Sequence, residues 1–264
     1  MYYVLSKDMI NSEIIPYLPQ GKRGFPPKAP LVERVNSILY KLKSGVQWHL
    51  LPLESLFSGD APHYKTVFGH YRKWCKADAW KKCWIELLTR HKSQLDLSSA
   101  DLDGSHPLAL KGGEAVGYQG RKKRKTTNAL YLTDRQGLPL ALSVSVASNH
   151  NDLYALDQSL DTIFETLTQA QIALDGLFLN ADAGFDSQGF RESCQHRGIL
   201  VNGATNKRNQ KQRPEALLDE LLYQQRFMIE RTHAWMDSFR SLLNRFDTTL
   251  SSWMGFNYLA FMVS

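Results

Sequence analysis

The chain of 264 residues is short of cysteine, with three, at positions 75, 83 and 194. No two form a CxxC pair, and Cys75 and Cys83 stand eight apart, so the spacing offers no zinc site. An odd number of thiols with no disulfide framework fits a reducing compartment. Long apolar runs are missing as well. No stretch reaches about 18 uninterrupted apolar residues, so no membrane span is expected. The opening MYYVLSKDMINSEIIPYL has no basic segment followed by a long apolar one, so no secretory signal is expected. There is no internal repeat and no long low-complexity tract. What is there is ordinary globular composition, 43% hydrophobic and 22% charged. The length suits one large domain or two smaller ones, with a core that needs no disulfide staples.

Charge is divided unevenly. Residues 1–95 carry 15 Lys+Arg against 7 Asp+Glu, a net of +8, whereas 96–264 carry 17 against 19, a net of −2. A basic front and a mildly acidic remainder suggest two parts with different partners, and the front fits a polyanion such as nucleic acid.

The front reads as helical. Pro16, Pro19, Gly21, Gly24, Pro26, Pro27 and Pro30 make 16–30 a loop. Leu31, Val32, Val35, Ile38, Leu39 and Leu42 then recur at helical spacing, with Gly45 as the stop. Residues 62–77 and 79–92 read as two further amphipathic helices. Short helices joined by tight turns, with Lys and Arg on their outer faces, resemble a helix-turn-helix module over 1–95. Trp48, Trp74, Trp80 and Trp84 are expected in its core.

From 96 onward the pattern is α/β. ADLDGSH, 100–106, begins a strand, and 128–148 reads as a hairpin turning at Asp134–Gly137. Residues 153–171 are helical, 176–185 form a buried strand running into Asp182, and a helix follows with Ser187 as N-cap and Gly198 as stop. ILVNGA is another strand, and 217–246 is a long helical segment broken near 226. This order predicts a mixed sheet covered by helices.

Three acids fall at telling places: Asp103 in the first strand, Asp182 at the end of a later one, and Glu230 on the late helix. Carboxylates at the ends of neighbouring strands can converge where α/β sheets bind ligands. Packed together they resist ionisation unless cations neutralise them. Two Mg²⁺ ions, which take oxygen ligands, would do so and would serve an in-line phosphoryl transfer. By spacing alone, ordinary surface carboxylates explain them better.

Local strings add weight. NADAGFDS resembles the A-D-x-G-Y/F-D block of bacterial insertion-sequence transposases of the DDE class. LYQQRFMIERTHAWMDSFRSLLNRFD resembles their C-terminal block, with Tyr223, Arg226 and Glu230 at the family's intervals. Residues 120–152 resemble the block after the first catalytic Asp, and LKSGVQWHLLP with HYRKWCKADAWKK resembles the N-terminal domain. Of these proteins the insertion sequence five group is the most similar, over roughly 25–262.

The resemblance implies a ribonuclease H-like α/β catalytic core over 96–264, a mixed sheet with helices on both faces, preceded by a small all-α domain. It implies that Asp103, Asp182 and Glu230 are catalytic and hold two Mg²⁺, with Mn²⁺ as substitute, and that Tyr223 and Arg226 support DNA or the active site. Where the wider family often has a DNA-contacting Lys seven residues after the Glu, this chain has Asp237. Either Arg240 or Arg231 takes that duty, or the subgroup does without it. Asn128 also replaces a common Lys, and only 47 residues separate Asp182 from Glu230, which leaves little room for a large inserted domain. The implied partners are double-stranded DNA, as terminal inverted repeats and target, and further copies of the chain in a homodimer or larger assembly. No membrane partner is expected, and the implied location is cytoplasmic, on the nucleoid.

Other candidates are weaker. The five cations Arg121, Lys122, Lys123, Arg124 and Lys125 could clamp phosphates or form a solvated loop, and so could 206–213, with Lys207 and Arg208. His106, His150 and Asp152 read better as structural than as a metal cluster. Asp186 is expected to cap the next helix, and Cys194 with His196 makes no nucleophile pair. The competing functions are another ribonuclease H-like nuclease, or a decayed transposase acting only as a DNA-binding protein.

Overall fold

The computed structural model describes residues 2–19, 29–150, 153–204 and 219–264. Its principal elements begin with helices α1 (Leu31–Ser44), α2 (Tyr64–Lys76) and α3 (Ala79–His91), then strands β1 (Ala100–Ser105), β2 (Arg124–Asp134) and β3 (Pro139–Leu142). Helix α4 (Leu156–Gln169), β4 (Phe178–Ala181), α5 (Gln188–Gln195), β5 (Leu200–Gly203), α6 (Glu220–Gln224), α7 (Phe227–Asp237) and α8 (Leu250–Phe261) complete the order. They gather into two compact units. One comprises 1–87, 110–113 and 236–264, and the other 88–109 and 114–235. The charge shift placed a boundary at 95/96; the chain leaves the first unit at Leu87 and returns to it at Met236.

In the helical unit, α1 ends where the sequence places its stop, with Gly45 at φ 69°, a left-handed conformation that suits glycine. Val35, Ile38, Leu39 and Leu42 are fully buried. Sequence periodicity missed α8, LSSWMGFNYLAF, which is apolar all round and is therefore a core helix. It packs against α2 and α1. The Tyr71 hydroxyl donates to the Ser252 carbonyl, and the Tyr71 and Phe256 rings stack at 4.5 Å. At Gly255 an added Cβ would fall 2.6 Å from Cys75 Sγ and 3.0 Å from Trp80, so only glycine permits this approach. Of the four tryptophans expected in the core, Trp74, Trp80 and Trp84 are buried, whereas Trp48 is half-buried and stacks on Phe256.

The second unit is built on a mixed sheet in the order β3-β2-β1-β4-β5. Strand β2 is antiparallel to β1 and β3, while β4 is parallel to β1 and β5 to β4. The turn 134–138 is organised by Asp134, whose Oδ1 accepts from the N–H groups of Gln136 (3.0 Å) and Leu138 (2.8 Å). Gly137 follows at φ 87°. Paired residues share a face, so Asp103 and Tyr131 lie on one side of the sheet and Leu102 and Leu132, both fully buried, on the other. Helix α7 covers the first side, with the His233 ring edge-on to Tyr131 at 5.3 Å and the Thr232 hydroxyl donating to Gly137 O. Helix α4, with Leu160, Ile163, Phe164 and Leu167 buried, packs against β3 and α5. The long helical segment expected to break near 226 does so: it is α6 and α7 with a turn at 225–226, then, beyond expectation, a separate helical turn at Arg240–Leu243; its first residues, 217 and 218, lie outside the described residues.

Candidate active site

Strands alternate their side chains, so Asp101 and Asp103 share a face of β1, and Asn180 and Asp182 share one on and just beyond β4. The parallel register pairs Asp101 with Asn180 and Leu102 with Ala181. Asp103 and Asp182 are therefore the next positions on two adjacent strands, just past their last paired residues on the carboxyl side, where open α/β sheets bind ligands. There β4 ends, and Asp182 caps the short helix 183–185 by accepting from Gly184 N–H at 2.7 Å. That bond occupies one carboxylate oxygen. An added Cβ at Gly184 would fall 2.8 Å from Asp182 Oδ1. Gly184→Ala is expected to push this carboxylate aside, weakening binding of a divalent cation at this edge about tenfold or more while Tm moves by only ~1–2 °C. Paired Mn²⁺ titrations and thermal melts check it, and unchanged metal binding would contradict the placement.

Asp103 is half-buried, and its Oδ2 lies 3.5 Å from His233 Nε2 on α7. That nitrogen is buried and has no hydrogen-bond partner among the described residues. Glu230 lies three residues before His233, on the same helical face, and is exposed. The structure thus brings Asp103 and Asp182 to neighbouring strand ends, with Glu230 one turn from the histidine that approaches Asp103. It does not draw the three carboxylates into a ready-made cage. Among the described residues, no three His, Cys, Asp or Glu side chains stand close enough to hold an ion. The donor chemistry still fits a hard divalent cation, because Asp103, Asp182 and Glu230 offer only oxygen ligands. The unpartnered His233 nitrogen beside Asp103 marks a polar site not yet satisfied by protein.

Beneath these residues runs a buried polar ladder that sequence reasoning missed. Asn180 Nδ2 donates to Asp101 Oδ1 at 2.7 Å, and Asn202 Nδ2 donates to Asn180 Oδ1 at 2.8 Å. These three occupy matching register positions on β1, β4 and β5. Asn202 also bonds both backbone groups of Asp219, at 2.9 and 3.1 Å. The Asp219 side chain in turn caps α6 by accepting from Leu222 N–H. Burial pushes the Asp101 carboxyl up to about 6, while the Asn180 hydrogen bond and the Arg226 charge pull it down. The only signal in the sequence was three polar residues at strand positions, which read equally well as surface residues. His233 carried a clearer one, the Glu-x-x-His spacing from Glu230.

The expected DNA-binding residues divide by location. Tyr223 is half-buried on α6, and the Arg226 guanidinium lies 5.8 Å over its ring. Arg231 is exposed on α7, next to Met228 Sδ. Arg121, Lys122, Lys123, Arg124 and Lys125 are all exposed, in the turn before β2 and on its first two residues. Arg240 is exposed and belongs to the helical unit. Lys207 and Arg208 lie outside the described residues, as does Asp152. Of the set-aside metal cluster, His106 faces Ser148 Oγ at 3.3 Å and His150 stacks on Tyr154 at 3.6 Å. The cap of α5 is Ser187, which accepts from Phe190 N–H, while Asp186 pairs with Arg191 instead of capping the helix. Burial pushes the Cys194 thiol up to about 12, so it is no nucleophile at neutral pH.

A sheet in the order β3-β2-β1-β4-β5, with β2 alone antiparallel to its neighbours and acids at the ends of β1 and β4, defines an α/β core of the ribonuclease H-like type. The sequence model of the family described as "Transposase DDE domain" matches residues 89–260, and that of a putative transposase of the IS4/5 family matches 10–84. The chain belongs to the DDE-class insertion-sequence transposases of the IS4/5 type. Among solved structures it is similar to the Mos1 transposase paired-end complex with left transposon end, at 13% identity over 92% of this chain and 79% of that one, with a TM-score of 0.31. The Mos1 strand transfer complex gives 13%, 92%, 78% and 0.31. The Mos1 mariner paired-end complex with Mn gives 12%, 96%, 82% and 0.30. No curated protein matches the chain. Among the described residues no helix is long and apolar enough to cross a membrane.

Proposed function

We propose that this transposase binds the terminal inverted repeats of its insertion sequence, cleaves the DNA ends by metal-dependent hydrolysis, and joins the freed 3′-OH ends to target DNA. Residues 1–95 supply recognition and 96–264 catalysis, with the helical segment from 236 completing the recognition unit. One observation supports the reading: the β1–β4 register makes Asp103 and Asp182 the next neighbouring positions on two adjacent strands, and His233, one helical turn from Glu230 on α7, approaches Asp103.

Asp103, Asp182 and Glu230 would hold two Mg²⁺, or Mn²⁺ in their place. When bound, the ions lower the pKa of the attacking oxygen and neutralise charge on the leaving one. The chain's own groups do the rest. The Gly184 N–H fixes the Asp182 carboxylate, and Asn180 and Asn202 tie the strand ends to the start of α6. Arg226, Tyr223 and Arg231 follow on the same segment, where cations can hold phosphates in register. Arg121 to Lys125 and Arg240 are further exposed cations for DNA, and Lys207 and Arg208 are candidates by sequence alone. Two ends must be held together for joining, so the working form is a homodimer or larger assembly on DNA, in the bacterial cytoplasm at the nucleoid.

Supplying pre-cut ends with a target plasmid tests the reading. End joining in Mg²⁺ is the expected result. Cleavage without joining would leave a ribonuclease H-like nuclease, and binding without either would leave a DNA-binding protein.

A further inference from the structure

Within the helical unit, motif order alone would nominate α3 to read DNA, because it follows α2 across a tight turn and the second helix of a helix-turn-helix lies in the major groove. Exposure points elsewhere. Helix α3 begins with Ala79 and Trp80 buried, keeps Cys83, Trp84, Ile85, Leu87 and Leu88 buried, and carries Glu86 between Lys82 and Arg90 on its exposed side. Helix α1 is enclosed over 32–39. Helix α2 differs from both. Its Val67, Tyr71, Trp74 and Cys75 are buried, and Lys65, Gly69, Arg72 and Lys76 stand exposed at successive helical turns, with Thr66 and Lys73 beside them. Residues 61–77 contain no Asp or Glu. Among the described residues none of these four cations is held in an ion pair. The Arg72 guanidinium lies over the Phe68 ring at 5.7 Å.

From this we infer that α2, and not α3, enters the DNA groove of the terminal repeat, presenting Lys65, Arg72, Lys73 and Lys76 to phosphates and base edges across Gly69. This rests on the proposal that the chain binds terminal repeats, and adds which surface does so. The charge complementarity is one-sided: an acid-free cationic stripe on a helix of 13 residues, about 20 Å long, suits a polyanionic groove and would be repelled by a basic one. Gly69 is the second observation. An added Cβ there meets nothing within 4 Å, so no packing within the protein requires glycine at that exposed mid-helix position. Glycine weakens a helix interior, yet it lets backbone come close to a ligand.

The test uses the full chain and duplexes taken from the DNA flanking the coding region on either side, with a random duplex as reference. In the Lys65→Gln/Arg72→Gln/Lys73→Gln/Lys76→Gln variant, affinity for the flanking duplex is expected to fall about a hundredfold or more, to near that for the random one. The slope of log affinity against log salt should shrink by about 3. Gly69→Leu, whose Cβ has room in the free protein, should hold or raise Tm and yet lose the same preference. Wild-type protein with no preference for flanking DNA would overturn the parent proposal of repeat recognition. Wild-type preference with the quadruple variant and Gly69→Leu both binding within about threefold of it would overturn the assignment to α2 alone.

Discussion

Replacing Asp182 by Asn is expected to lower Mg²⁺-dependent cleavage of end DNA about a thousandfold or more, with end binding essentially unchanged. A carboxylate that holds a catalytic cation contributes several kcal/mol to the transition state, and each 1.4 kcal/mol is about a factor of ten. The substitution is well matched to the local geometry. One Asp182 oxygen accepts from Gly184 N–H, and an Asn carbonyl can accept the same bond, so the cap of the 183–185 turn survives. What disappears is the charge. Asp103→Asn and Glu230→Gln should behave alike, and Mn²⁺ should support the wild-type protein in place of Mg²⁺. Asp186→Asn, four residues on, is the internal control, because its carboxylate is engaged with Arg191. Wild-type cleavage by Asp182→Asn, measured on end duplexes over a range of metal concentrations, would remove Asp182 from the site.

The second large effect concerns stability. Asn180→Leu should destabilise the α/β unit by about 3 kcal/mol, read as a lower urea midpoint. Asn180 is fully buried; it donates to Asp101 and accepts from Asn202. A leucine of similar bulk leaves a buried carboxylate without its donor and a buried amide without its acceptor. Asp101 also imprints a pH dependence. Its folded pKa of about 6 lies above the unfolded value of about 3.9. Between those values the folded state keeps a proton that the unfolded state has released. Stability from this group is therefore full below about pH 4, declines by about 3 kcal/mol as pH rises to about 6, and is flat beyond. Asp101→Asn retains an oxygen for Asn180 and removes the titration. The wild-type minus variant difference in unfolding free energy should fall across that window, and a difference that rises or stays level would refute it.

The parts of this fold legible in the sequence were those written in local chemistry. Gly45 stops α1, Asp134 and Gly137 make the hairpin turn, and Ser187 caps α5, each acting within a few residues of itself. The parts that were not legible depend on partners far along the chain. Helix α8 has no polar face to give it a period, because every side of it is covered. Asp101, Asn180 and Asn202 form a network only through the parallel register of three strands, and register is a tertiary property. The site shows the same division. Asp182 was visible from its strand-end motif, whereas the approach of His233 to Asp103 needed α7 docked on the sheet.

The packing of α8 against α1 and α2 sets an order of events during synthesis. The ribosome delivers residues 88–235 before 236–264, so the α/β unit can complete its core while the helical unit still lacks a wall. Until Gly255 and Phe256 emerge, Tyr71 and Trp80 have Trp48 and Trp74 beside them but lack the wall that α8 supplies. A chain that stops before residue 250 therefore has the residues of the α/β unit but lacks the helix that completes the core of the helical one.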